Sequence, residues 1–290
     1  MPDGHSPQSL TVTPLDALGA RVTGIDLSQP LSDDLKRQVF KAWHDHVILV
    51  FPGQVLSSAQ QLAIAELFGP IKKRGRPEDR RPEQGVNDYE SQVMFISNVK
   101  ENGKAIGSLP DGEMWFHHDG CYKERPQRAS FLYAIELPST GGNTRFANMY
   151  KAYDAVSAEL RKLLADKTAL HVYDYELRSR FDIKTGLDKV AHYSQPVFIR
   201  HPDTNKTALY VNPLMTARIN DLPEDESKAV LAELFAIGQD SRVVYEHVWT
   251  IDELIIWDNL CSMHARTDFP AEQRRLLRRC VVEGEPTIRA

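Results

Sequence analysis

The sequence predicts a mainly β domain, a sandwich or barrel with helices packed outside it. Two observations carry this. Short runs of branched and aromatic residues recur along the chain, at 47–51, 93–99, 130–136, 196–200, 207–211, 243–249, 254–257 and 276–283. Helical periodicity, by contrast, is confined to a few segments. The predicted strands lie on both sides of the midpoint with no break in composition. Residues 11–290 therefore read as one domain behind a loose tail at 1–10.

Four helices are expected. The first begins near Ser32, with Asp33 and Asp34 in its first turn, where acidic groups suit the helix dipole. Leu35, Val39, Phe40 and Trp43 form its apolar stripe. The second starts at Ser57, with Gln60 completing a capping box, and stops at Gly69-Pro70. A third covers 149–165, with Tyr153, Val156, Leu160, Leu163 and Leu164 on one side. A fourth covers 223–237, with Pro223 in its first turn and a stop at Gly238. Segments 72–92 and 174–192 are polar and read as surface loops, long enough to act as lids.

The chain has 290 residues, enough to bury a sizeable core. Its net charge of −5 argues against a nucleic-acid partner. The N-terminus has no secretory pattern and no stretch is apolar enough to span a bilayer, so no membrane partner is expected. Cys121, Cys261 and Cys280 are odd in number and far apart. They suit a reducing cytoplasm better than a disulfide framework or a cysteine-built zinc site.

Four features could carry chemistry. In Trp115-Phe116-His117-His118-Asp119, strand periodicity turns His117 and Asp119 to one side and His118 to the other. An imidazole beside a carboxylate is two-thirds of a facial triad for iron(II). His264, in Trp257-Asp258-Asn259-Leu260-Cys261-Ser262-Met263-His264, could supply a distant third ligand. Arg275 and Arg279 share one face of a predicted strand, where buried guanidinium groups would need anions. Gly141-Gly142-Asn143-Thr144 marks a tight turn before a strand. Each feature alone is ordinary: a surface His–Asp pair, a structural histidine, a basic edge, a plain turn.

Their order and spacing are not ordinary. The sequence resembles the taurine dioxygenase and 2,4-dichlorophenoxyacetate dioxygenase family of 2-oxoglutarate-dependent oxygenases over nearly the whole chain. The resemblance runs from LGARVTGIDL at 18–27, through LFGP at 67–70, to the arginine-rich strand. Thr144 lies 25 residues past Asp119. Arg275 and Arg279 lie 11 and 15 residues past His264, which follows a Trp-Asp-Asn segment.

The resemblance implies a double-stranded β-helix, or jelly roll. His117, Asp119 and His264 would bind Fe(II). Thr144 and Arg275 would hold the far carboxylate of 2-oxoglutarate. Arg279 would reach the anionic head of a small organic substrate and could also touch the cosubstrate. With O2, such an enzyme hydroxylates its substrate and releases succinate and CO2. Asp119 favours hydroxylation, because related halogenating enzymes lack this carboxylate. The family is commonly dimeric or tetrameric, so a homo-oligomer is expected.

The chain also departs from the pattern. Leu260 stands where an arginine often follows Trp-Asp-Asn. Glu113 is the nearest counterpart of an asparagine that contacts taurine, and Lys72-Lys73-Arg74 replaces a loop bearing a taurine-contacting histidine. These changes argue against taurine itself as substrate. Two rival readings also fit the sequence: a catalytically silent jelly-roll binding protein, and a zinc hydrolase built on the same three ligands.

Overall fold

The computed structural model describes residues 9–73, 92–109, 112–174 and 180–290. In chain order its first elements are β1 (Thr11–Pro14), β2 (Ala20–Thr23), α1 (Asp33–His46), β3 (Ile48–Phe51), α2 (Ser58–Glu66) and β4 (Met94–Ser97). Then come β5 (Lys100–Glu101), β6 (Lys104–Ala105), β7 (Met114–His117), β8 (Ala129–Glu136), β9 (Thr144–Asn148), α3 (Met149–Ala155) and α4 (Ala158–Leu164). The middle holds β10 (Thr168–Tyr173), β11 (Ala191–Pro196), β12 (Phe198–Arg200), β13 (Thr207–Leu209), β14 (Thr216–Ile219) and α5 (Glu224–Gly238). The chain ends with β15 (Val244–His247), β16 (Leu254–Asp258), β17 (Ser262–Arg266), β18 (Leu276–Val282) and β19 (Ile288–Arg289).

Two sheets build the jelly roll. The larger has the order β1-β2-β3-β16-β8-β18-β4, and the smaller β15-β9-β17-β7. Apart from the parallel β2–β3 pair, their ladders are antiparallel. Both faces of the larger sheet are covered. Ile48, Val50, Leu132, Ala134, Ile255, Trp257 and Leu277 point into a core shared with Phe146, Ala147, Met263 and Ala265 of the smaller sheet. Leu49, Phe51, Phe131, Tyr133, Leu254, Ile256 and Cys280 point the other way, against α1 and α2. Strict alternation between two buried faces is why these strands read as unbroken apolar runs.

The starts of α1 and α2 are as the sequence predicts. Ser32 caps α1 through Leu35 N, and Ser57 with Gln60 forms a reciprocal box at α2. Leu35, Val39 and Trp43 are buried against the larger sheet. Pro223 is the N-cap of α5 rather than its first-turn residue, with Glu224, Asp225 and Glu226 in that turn. Helix α2 stops at Glu66, three residues before the glycine.

The single helix expected over 149–165 is instead two. Val156 is extended, and the Ser157 side chain accepts from Leu160 N at 3.2 Å, capping a new helix. A serine in this position offers the backbone a cap that competes with continuing the helix. Leu163, expected on the buried stripe, is exposed.

Of the two predicted loops, 74–91 and 175–179 lie outside the described residues, and so do residues 1–8 of the tail. The second loop also contains regular structure: a 3-10 turn at Ile183–Thr185 capped by Asp182, and the start of β11 at Ala191. No helix among the described residues is long and apolar enough to cross a membrane.

Candidate active site

The smaller sheet brings two of the three proposed ligands together. Strand β7 forms its edge and β17 is the next strand in, with His264 directly opposite His117. The two imidazole centroids are 4.2 Å apart. His117 Nδ1 donates to the Trp115 carbonyl at 2.9 Å, since a carbonyl can only accept. That leaves the Nε2 lone pair facing the site, the tautomer a metal ligand needs. His264 is held by packing against Trp257, 4.9 Å between centroids, and its buried Nδ1 has no partner among the described residues.

Asp119 lies beyond the end of β7, so strand periodicity alone does not place it. A turn does. Gly120 takes a positive φ of 73°, and Lys123 N donates back to the Gly120 carbonyl at 2.9 Å. His117 Nε2 is then 3.8 Å from Asp119 Oδ1, and His264 Nε2 is 3.6 Å from Oδ2. The three ligand atoms lie within 4.8 Å of one another. His118 does turn away, as predicted. It is buried against Tyr210, with Asn212 Nδ2 at 3.4 Å from its Nδ1.

The electrostatics prepare a cation site. Burial opposes the charge of Asp119, but the Arg279 guanidinium outweighs it and holds the carboxyl below its usual range. Burial lowers both histidines, and for His264 the neighbouring His117 lowers it further. A carboxylate with two neutral imidazoles is the donor set that suits iron(II).

Arg279 leaves β18 toward this carboxylate. Its Nη2 donates to Asp119 Oδ2, to Ser130 Oγ at 2.9 Å and to Gln127 Oε1 at 3.0 Å. Its Nε is buried without a partner among the described residues. Ser130 is fixed in turn by Asn259 Nδ2 at 3.0 Å, and Asn259 by the Trp257 indole at 2.9 Å. The Trp-Asp-Asn segment therefore props up the Asp119–Arg279 pair from behind. Sequence reasoning missed Gln127, Ser130 and this role of Asn259, because isolated small polar residues carry no signal before the strands are assembled.

Arg275 enters just before β18. It is 1% exposed, and among the described residues no carboxylate meets it. Its Nε and Nη2 donate to the Gly142 carbonyl at 3.2 and 3.0 Å, while Nη1 is buried with no partner among the described residues. Burial, reinforced by Arg266, pushes its pKa down to about 9. A buried guanidinium in this state calls for an anion.

The double glycine allows the approach. A Cβ on Gly142 would stand 2.9 Å from Arg275 Nε, and one on Gly141 would stand 2.2 Å from the Asp268 carbonyl oxygen. Both glycines have positive φ, 72° and 65°. Thr144 follows at the start of β9, buried. A cleft of about 550 Å³ is lined by Asn98, Leu109, Gly112, Asp268, Phe269, Pro270 and Ala271, and Asn98 Oδ1 accepts from Arg275 N at 2.9 Å.

Arg278 faces the other side of β18, as periodicity predicts, and is also buried. It donates to Gln61 Oε1 at 2.7 Å, Ser58 Oγ at 3.2 Å and the Leu56 carbonyl at 2.6 Å, pinning α2 to the sheet. Cys121 is core packing: burial pushes its thiol up to about 12. A second trio, His201, Asp258 and Cys261, also clusters. There, Asp258 already accepts from Arg128, His201 and Leu260 N, and burial raises the Cys261 thiol. That trio has the partners of a structural network, whereas Asp119 keeps Oδ1 open beside two imidazoles.

Comparison with known proteins bears on the whole chain. The profile of the taurine catabolism dioxygenase TauD, TfdA family matches residues 11–281. A pentalenolactone F synthase from Streptomyces avermitilis is 33% identical, over 94% of this chain and 93% of its own. The alpha-ketoglutarate-dependent 2,4-dichlorophenoxyacetate dioxygenase of Cupriavidus pinatubonensis is 30% identical, over 97% of this chain and 100% of its own. The solved structure of AAD-2 in complex with Mn(II) and N-oxalylglycine is similar at a TM-score of 0.77, with 27% identity over 97% of this chain and 100% of that one. Fold, enzyme class and cosubstrate are thus those of the 2-oxoglutarate-dependent dioxygenases, and the chain belongs to the taurine catabolism dioxygenase TauD, TfdA family.

Proposed function

We propose that this enzyme hydroxylates a small anionic organic molecule, with His117, Asp119 and His264 holding iron(II) and Thr144 and Arg275 holding the distal carboxylate of 2-oxoglutarate. The observation that carries this is the donor set itself: a carboxylate and two imidazoles whose ligand atoms lie within 4.8 Å of one another. A buried arginine, whose Nη1 has no partner among the described residues, suits the anion.

When bound, iron(II) together with 2-oxoglutarate and O2 supplies the oxidising chemistry that couples release of succinate and CO2 to oxygen insertion at a substrate C–H bond. The chain's own residues bind and orient. His117 and His264 stay neutral and offer lone pairs. Asp119 stays ionised, because Arg279 stabilises the anion. Arg275 is buried, and its Nη1 would donate to the cosubstrate carboxylate, where a charge-assisted hydrogen bond counts most.

Arg279 also underlies the substrate reading. Its Nη2 is committed to Asp119, but its Nε remains for the anionic head of the substrate. Sulfonates, phosphonates, aryloxyalkanoates and other carboxylates all present such a head. The 2,4-dichlorophenoxyacetate dioxygenase and a putative alpha-ketoglutarate-dependent sulfonate dioxygenase of Schizosaccharomyces pombe, 28% identical, support that range. The reading extends to a cytoplasmic homo-oligomer, a dimer or tetramer, which sizing of the purified protein measures. A panel of these anions, scored by succinate formed with iron(II), 2-oxoglutarate and O2, tests the function. Stimulation by at least one anion is expected; uniform lack of succinate, even at the slow uncoupled rate, would refute it.

A further inference from the structure

Thr144 is held by a residue that the activity does not otherwise use. The Trp249 indole Nε1 lies 3.0 Å from Thr144 Oγ1, and both side chains are buried. An indole N–H can only donate, so the threonine oxygen accepts here. The Thr144 hydroxyl hydrogen must therefore point away from Trp249.

Trp249 is itself fixed. The His247 ring packs edge-on against it at 4.8 Å, and His247 stands opposite Thr144 across the β9–β15 ladder. His247 is anchored by Glu253 Oε2 at 2.8 Å from its Nε2 and by Tyr245 Oη at 3.1 Å from its Nδ1. Glu253 is fully buried and also accepts from Thr250 N at 3.1 Å, with Arg21 Nη1 3.6 Å from its other oxygen. A rigid scaffold thus stands behind the indole.

We propose that Trp249 is a positioning residue that sets the hydrogen-bond polarity of Thr144, so that the site presents two fixed donors, Thr144 Oγ–H and Arg275 Nη1–H, to an acceptor-only ligand terminus. This rests on the reading of Thr144 and Arg275 as the cosubstrate site. It adds a specificity. A terminal carboxylate satisfies both donors. The terminal amide of 2-oxoglutaramate offers only its carbonyl oxygen as an acceptor, and its NH2 would face a donor.

The test is binding, not turnover. Affinities of the Mn(II)-loaded protein for N-oxalylglycine and 2-oxoglutarate are measured by titration calorimetry for the wild type, Trp249→Phe, Thr144→Val and the double variant. Trp249→Phe should weaken binding about 2- to 10-fold, and Thr144→Val about 10- to 150-fold. The double variant should bind no worse than Thr144→Val, because without the hydroxyl the indole has nothing to orient. Mn(II) affinity should be unchanged throughout.

The Trp249 indole N–H resonance gives a readout that needs no tryptophan variant. In the wild type it should be protected from exchange, and Thr144→Val should shift it and speed its exchange. Wild-type affinity in Trp249→Phe, or an indole resonance indifferent to Thr144→Val, would overturn the proposal. So would fully additive losses in the double variant. Failure of the wild type itself to bind either ligand would instead refute the cosubstrate site.

Discussion

His264 stands opposite His117 across the ladder joining β17 to β7, and Asp119 reaches both from the turn that follows β7. One interstrand register thus fixes two of the proposed ligands and a glycine-dependent turn fixes the third. Replacing either histidine by alanine should lower succinate formation at least about 100-fold, since even groups one step removed from a metal cost 10- to 100-fold. Mn(II) should raise the melting temperature of the wild type by binding the folded state, and fail to do so in His117→Ala.

Gly142 is where the backbone must pass closest to Arg275. Gly142→Ala places a methyl group 2.9 Å from Arg275 Nε at a φ of 65°. The strain should cost about 1–3 kcal/mol of stability, seen in denaturant unfolding. It should also raise the KM for 2-oxoglutarate, because Arg275 must shift.

Asp258 makes a prediction about acid. Burial works against its charge, and Arg128 and His201 outweigh that, holding the carboxyl below its usual range. Its folded-state pKa is therefore lower than its unfolded one. The stability it contributes is full above roughly pH 4 and drains away as pH falls toward the folded pKa. Asp258→Asn should cost about 1–3 kcal/mol at neutral pH, because Arg128 and His201 lose a buried carboxylate acceptor while Arg128 keeps Asp203. The gap from the wild type in chemical unfolding should narrow below pH 4.

Arg278 and Arg279 are neighbours with separate duties. Arg278→Ala leaves the Leu56 carbonyl and Gln61 Oε1 without their buried donor, about 1–3 kcal/mol in all, and should lower the melting temperature while sparing metal binding. Arg279→Glu should abolish substrate-stimulated succinate formation. Unchanged kinetics in that variant would remove Arg279 from substrate recognition.

The chemistry of the candidate site was more legible than the framework around it. His117, Asp119, His264, Thr144 and Arg275 stand out because their spacings form a pattern, and the fold brings His117, Asp119 and His264 together. Periodicity separated His117 from His118, and Arg278 from Arg279, because a period of two holds even in short strands. It did not reveal β17, whose segment SMHAR has no branched run and is a strand only because β7 and β9 flank it. Nor did it reveal β10 or β14. The break between α3 and α4 turned on one serine cap set against a continuous apolar pattern. Trp249, Ser130 and Asn259 were invisible as site residues, since each acts on a partner more than 100 residues away.

The central claim is that His117, Asp119 and His264 hold iron(II) beside 2-oxoglutarate bound through Arg275 and Thr144. Adding iron(II) and 2-oxoglutarate to the protein without oxygen tests it most directly. A weak visible charge-transfer band should appear with both additions, with neither alone, and not in His117→Ala. A well-folded wild-type protein that shows no such band would contradict the account.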